Sequence, residues 1–213
     1  MATNYDNQAP AYHGIRNAKY AVRGEDGAPG VSTVPFKYAK SVGFDAAVDQ
    51  QPVYMNDMKV LTLVTDQGYT GTIGTSAQDR ALEKALGHLV EVDGMLADVK
   101  QNGFVRFDFY YEYVEHTASG IPYIVKVWAL NMEAAKASKA HSTDTNTATL
   151  GEYSYPITVY GDPVKTSDGA ETYHDANGNE IIGVRAISVP SDAGYQTFGN
   201  SVPKMKMKAV PAE

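Results

Sequence analysis

Cysteine is absent from these 213 residues. Disulfides, thiolate metal sites and thiol nucleophiles therefore drop out of consideration. Long apolar runs are also missing: none approaches the ~20 residues that a membrane-spanning helix needs. The segment Met1 to Pro10 is polar and has no apolar stretch of signal-peptide type. The expectation is a chain made in the cytoplasm that stays soluble, without membrane insertion. Positive charge is in short supply, with 18 Lys and Arg against 25 Asp and Glu and a net charge of −7. Duplex DNA carries about one negative charge per ~1.7 Å, and proteins that grip it do so with clustered cations. A chain of this balance touches DNA weakly, or is built not to adhere to it.

Catalytic constellations are missing as well. His13, His88, His116, His141 and His174 are scattered and form no metal-ligand spacing on one expected element. Asp175 to Glu180 resembles a calcium loop only loosely. It lacks the glycine at the sixth position and the distant glutamate, and Asn177-Gly178 reads as a hairpin turn. Gly68 to Gly74 is glycine-rich, but no Lys-Ser/Thr follows it, so it is not a phosphate loop. Asp108 and Glu112 share a strand face. At ~3.3 Å per residue they stand roughly 13 Å apart, beyond the ~6.5–9.5 Å of an inverting glycosidase pair. They read instead as a solvated or lumen-facing charge row. No nucleophile elbow is visible. No catalytic, cofactor or metal residue is expected, and a triad dispersed in sequence is the one form of enzyme left open.

What is present is material for a β-rich fold. The apolar fraction is 43%, enough for a core, and 15 Tyr and 19 Gly suit strand faces and the turns between them. Ile15 to Arg23 reads as a strand and Gly24 to Gly30 as a turn. Short strand signals follow at Phe36 to Tyr38 and Val42 to Phe44. Ala46 to Met58 is polar, contains Pro52 and has no clear period, so it reads as a long loop or extended arm. Val60 to Thr75 reads as two strands around Asp66-Gln67-Gly68. One helix is expected, with Ser76 as N-cap, Asp79 three residues on, Leu82, Ala85 and Leu86 on one face, and Gly87 as the stop. Phe104 to Glu115 is the clearest strand. Val105, Phe107, Phe109, Tyr111 and Tyr113 lie on one face, and Arg106, Asp108, Tyr110 and Glu112 on the other. Thr117 to Gly120 turns it into a return strand, Ile121 to Met132. Glu133 to Thr147 reads as a surface loop. Thr149 to Tyr160 and Glu180 to Val189 supply further strands, and Lys204 to Lys208 a basic tail. No internal repeat or linker divides the chain.

Several segments, in order, carry a family resemblance. They are Tyr12 to Ala21, Val53-Tyr54-Met55-Asn56-Asp57, the Ser76 to Gly87 helix with Val90 to Ala97, Trp128 to Lys139, Gly151 to Gly161, and Ser191 to Tyr195 with Phe198. Together they resemble the major tail proteins of long, non-contractile-tailed bacteriophages of Gram-positive hosts. Asn56-Asp57 departs from the acidic pair usual at that place.

The resemblance implies a mainly β fold: a β-sandwich of the tail-tube type with one short flanking helix, also shared with the tube protein of type VI secretion. It implies a single domain over 1–213, with an N-terminal arm at 1–14, an inter-ring loop at about 46–58 and a mobile tail at about 200–213. The inner sheets of six subunits would join into a β-barrel, and the hexameric rings would stack into a tube. The partners implied are further copies of the chain, a tape-measure protein, distal tail and tail terminator proteins, and double-stranded DNA in non-specific transit during ejection. The place implied is the virion tail, assembled in the host cytoplasm. Inter-ring contacts would fall on Asp49, Gln50, Gln51, Pro52, Val53, Tyr54, Met55, Asn56 and Asp57. Asp66, Asp108 and Glu112 are the candidates for an acidic lumen. The competing expectations are a surface adhesin or carbohydrate-binding β-sandwich, and another virion part such as a capsid decoration protein or tail terminator.

Overall fold

The computed structural model describes residues 13–55, 58–101, 103–139 and 152–207. The expectations for residues 1–12, Asn56, Asp57, 140–151 and 208–213 lie outside the described residues. The strands are β1 (His13–Val22), β2 (Val34–Pro35), β3 (Ala39–Met55), β4 (Met58–Thr75), β5 (Leu89–Val92), β6 (Met95–Asp98) and β7 (Phe107–His116). They continue with β8 (Pro122–Ala134), β9 (Ser138–Lys139), β10 (Tyr153–Val159), β11 (Asp162–Pro163), β12 (Ile182–Gly183) and β13 (Arg185–Ser188). One helix, α1 (Arg80–Ala85), lies between β4 and β5.

The chain is mainly β, as expected, and every ladder between these strands is antiparallel. The main sheet runs β2-β1-β7-β8-β10-β4-β3, with β13 added to β8 and β9 to β10. Phe44 of β3 nevertheless stacks on Tyr111 of β7, 6.2 Å between ring centres. Three strands separate those two in the sheet, so the sheet must fold over itself into two packed layers. Tyr20, Phe107, Phe109, Val125, Val127, Ile73, Ile157 and Val159 fill the space between the layers. Each such side chain contributes about 1.5–3 kcal/mol when fully buried.

The alternation on β7 places Phe107, Phe109 and Tyr111 in that core, on the face expected. The opposite face is not solvated. Tyr110, Trp128 and Leu130 form a second cluster there with Ala21 and Val202. The cover is the C-terminal segment. Trp128 Nε1 donates to the Phe198 carbonyl at 2.9 Å, Lys126 Nζ to the Tyr195 carbonyl at 2.7 Å, and Tyr195 OH to the Ile124 carbonyl at 3.0 Å. A Cβ on Gly199 would sit 2.6 Å from Tyr110 Oη, so this crossing requires glycine. The expected mobile tail is therefore corrected for residues 200–207. Val202 is buried against the sheet, and Lys165 N donates to Met205 O at 2.9 Å.

Two further expectations change. Asp66 to Gly68 is not a hairpin turn, because β4 continues through it. Ala46 pairs with Tyr69 and Val48 with Asp66, so β4 carries one extra residue, a bulge with Gly68 at φ +85°. The helix begins at Asp79, not Ser76. The Asp79 carboxylate accepts from Ala81 N and Leu82 N, both at 3.0 Å. The stop is as expected. Gly87 takes φ +72°, its N–H reaches Lys84 O at 3.1 Å, and His88 N reaches Glu83 O at 2.8 Å, which closes a Schellman motif. Asp79→Ala is expected to lower unfolding free energy by about 1 kcal/mol in urea denaturation. Ser76→Ala, at an exposed position, is expected to change it by less than about 0.5 kcal/mol. Equal effects would return the cap to Ser76.

Candidate functional site

The outer half of the β3–β4 hairpin is largely exposed. β10 pairs with β4 only from Tyr69 to Thr75. The Gly68 bulge follows at once, and a Cβ there would lie 2.3 Å from the Val159 carbonyl oxygen. Beyond it β3 and β4 pair only with each other among the described residues, from Val48↔Asp66 out to Met55↔Met58. The result is a two-stranded arm that leaves the body where β10 ends.

The inter-ring candidates Asp49 to Met55 lie on this arm. They form strand rather than the loop alternative, because the ladder with β4 satisfies their backbone. Pro52 is tolerated since the other edge of β3 carries no ladder among the described residues. Tyr54 is 62% exposed and Met58 69% exposed, and Val48, Met55, Val60 and Leu61 are exposed as well. Val60 and Leu61 lie beyond the expected inter-ring segment, within the strand expected from Val60, and they belong to the same exposed arm. A second ribbon, β5–β6, also exposes Val90, Val92, Met95 and Leu96.

The lumen candidates fare differently. Asp108 is 0% exposed and Glu112 is buried, so neither forms a solvated charge row. The C-terminal cover and the end of β1 enclose the face they share. Glu112 accepts from Tyr110 OH at 2.6 Å and Asn17 Nδ2 at 2.8 Å. The backbone of Asp66 pairs with Val48 on the arm, and its side chain lies outside the described residues.

Asp108 belongs to an internal ion cluster that the sequence reading did not find. Arg23, at the end of β1, donates from Nε to Asp108 Oδ1 at 3.0 Å and from Nη1 to Asp162 Oδ1 at 2.7 Å. It also reaches Asp162 Oδ2 at 2.6 Å and the Gly27 carbonyl at 3.0 Å. Asn131 N donates to Asp108 Oδ1 at 2.9 Å, while Asp108 Oδ2 has no hydrogen-bond partner among the described residues. Burial pushes the Asp108 carboxyl above its ordinary value, against the lowering pull of Arg23 and the Asn131 N–H. The only sequence signals were an arginine before the Gly24 turn and Asn131, which adopts φ +54°.

Two hollows complete the description. One, of about 520 Å³, lies between β1 and β3 and is lined by Phe44, Tyr111, Tyr113 and Arg185 among others. The other, of about 250 Å³, borders Glu83, His88, Asp98 and Lys136. Glu83 accepts from Tyr155 OH of β10 at 3.0 Å, which ties α1 to the sheet, and from Gln78 Nε2, just before the helix, at 2.6 Å. Among the described residues no group of three or more His, Asp or Glu is placed to hold a metal ion.

No family model and no curated protein matches this sequence. Among solved structures, a chain in the six-fold symmetrised cryo-EM structure of the anti-feeding prophage baseplate is similar in part. The TM-score is 0.34 at 6% identity, covering 74% of this chain and 93% of that one.

Removing Arg23 would strand two carboxylates, one of them fully buried. Arg23→Met is expected to cost about 3–5 kcal/mol in chemical denaturation. The pH dependence tests Asp108 separately. Its folded pKa is raised, so its contribution is complete below the unfolded value near ~3.9 and is lost as pH rises through the folded value. The stability of the native chain relative to Asp108→Asn should therefore fall as pH rises above about 4. A difference that grows with pH would show a carboxylate held ionised by Arg23.

Proposed function

We propose that this chain is a structural subunit of a bacteriophage virion, and within the virion a subunit of the tail tube. The observation that carries the proposal is the β3–β4 arm. A lone two-stranded ribbon is marginally stable in water, and this one exposes Tyr54, Met55, Met58, Val60 and Leu61. A long edge strand with exposed apolar side chains is a template for pairing with another chain. β3 has 17 residues and no ladder on its outer edge among the described residues. Such an arm suits a protein whose working state is an assembly.

The sequence resemblance selects the tail tube among assemblies. On that reading six copies form a ring through their sheet edges, and the rings stack through the arms. The tube encloses a tape-measure protein, ends against distal tail and terminator proteins, and conducts DNA. A net charge of −7 suits passage of DNA without adhesion. With Asp108 and Glu112 enclosed in the subunit, that repulsion would come from other acidic side chains.

Negative-stain microscopy beside light scattering, at rising protein concentration, tests the proposal. Tubes or six-fold rings are expected. The double variant Tyr54→Asp/Met58→Asp is expected to raise the concentration for assembly at least ~10-fold, since burying one large apolar side chain is worth about 1.5–3 kcal/mol. The emission of Trp128, which is buried in the second cluster of the body, should stay as in the native chain. A native chain that remains monomeric and binds a glycan would instead support the adhesin reading.

A further inference from the structure

Seven methionines occur in the chain, and two of them sit together at the end of the β3–β4 arm. Met55 is 60% exposed and Met58 69% exposed. They are Cα partners in the ladder, so their side chains leave the ribbon on one face, with Cβ atoms roughly 5 Å apart. The pair Val53↔Leu61 shares that face, and Tyr54↔Lys59 lies on the other. One face at the end of the arm is therefore apolar and presents two accessible thioethers. The remaining described methionines are placed differently. Met132 is fully buried, Met205 packs against the second cluster, and Met95 and Met207 are exposed on separate segments.

We infer that Met55 and Met58 form an oxidation-sensitive site, at which a peroxide turns the apolar face of the arm polar and so blocks assembly. The effect on assembly rests on the tail-tube reading; the reactivity of the two thioethers does not. The chemistry needs no catalytic group. A thioether sulfur attacks one oxygen of hydrogen peroxide, the O–O bond breaks and an S–O bond forms. The sulfur loses two electrons and becomes a sulfoxide. The second oxygen leaves as hydroxide and takes the proton released from the first, giving water. The geometry decides the consequence. Each sulfoxide is polar and disrupts a methionine-rich contact. Two of them side by side on one face must be desolvated together by whatever covers that face. Their side chains point away from the plane of the ribbon, so the ladder that shapes the arm is left intact. Assembly guards the site in turn, because a neighbour that covers the face also keeps peroxide from it. Sulfoxide reductases, one for each epimer, return the thioether, so the block is reversible.

The test treats the full-length chain with hydrogen peroxide, before and after assembly, and locates the added oxygen by peptide mass spectrometry. In the dilute chain Met55 and Met58 should be oxidised well ahead of Met132, and in tubes their oxidation should be slower than in the dilute chain. The chain oxidised while dilute should need at least ~10-fold more protein to assemble, with Trp128 emission unchanged. Treatment with both sulfoxide reductases should bring the onset back. Each variant is then compared with its own untreated onset. Met95→Leu should keep the peroxide shift. Met55→Leu/Met58→Leu, which retains apolar side chains of similar volume without an oxidisable sulfur, should lose it. An onset that does not move once both residues are oxidised would overturn the switch and leave the tail-tube reading standing. A shift that persists in the double variant would do the same. A native chain that never associates would overturn both.

Discussion

A single guanidinium, that of Arg23, fixes the geometry on which the rest of the fold depends. It ends β1, spans to Asp108 at the start of β7, and reaches Asp162 in β11. Asp108 in turn holds the N–H of Asn131, the residue at which β8 takes a left-handed backbone turn. That turn divides one edge of β8 between two partners. β13 pairs with it from Lys126 to Ala129, and β10 from Met132 to Ala134. A straight β8 would give that edge to one strand. The divided edge sends β10, β4 and β3 over the core while β13 leads into the outer cover. A buried ion cluster adds little net stability, since desolvation offsets most of the attraction. Its value here lies in register: a hydrophobic contact slides, whereas five directed bonds from one arginine do not.

The folding-over that this register permits leaves a sheet with two unjoined edges. A closed barrel would have none. In this chain β1 and β3 border the same groove without pairing among the described residues, and β3 continues far past the body into the arm. The exposed edge, the aromatic seam and the apolar arm are thus one consequence of where the sheet stops.

The sequence made the alternating faces legible wherever period-2 patterning is strict, as along β7. It did not show what covers the second face, because alternation reports which residues share a side and not which distant segment lies on it. Asp108 and Glu112 looked like a solvated row for that reason. Tyr110 and Trp128, two large aromatics on the supposedly wet faces of β7 and β8, were the available sign. The turns expected at Gly120 and Gly178 are present, each with glycine at positive φ. Gly68 was misread, since a bulge and a hairpin turn make the same local demand on the backbone and differ only in whether the strand continues. The helix start moved from Ser76 to Asp79 because both are good caps, and the docking of Leu82 and Leu86 on the sheet chose between them. The arm was legible as unusual, yet its strand character was not, because polar residues on both faces erase the period.

The Gly68 bulge bears on how such an arm avoids premature association. Inside the bulge, β4 has a neighbour on each side, β3 and β10, and its root is held by the core. Outside it, the arm has one ladder and little buried apolar surface, so its local stability sits at the low end of the range within one domain. A partner that orders the arm must first offset the conformational entropy of those residues, at about 1–2 kcal/mol for each backbone that becomes fixed. A single encounter between two subunits meets that cost with few contacts. On the tail-tube reading proposed above, a ring edge would offer several contacts at once, so addition to a growing end would be favoured over pairing in solution. On the tail-tube reading, the same bulge that aims the arm away from the body also makes assembly depend on nucleation, which keeps the exposed apolar ribbon compatible with a soluble pool of subunits.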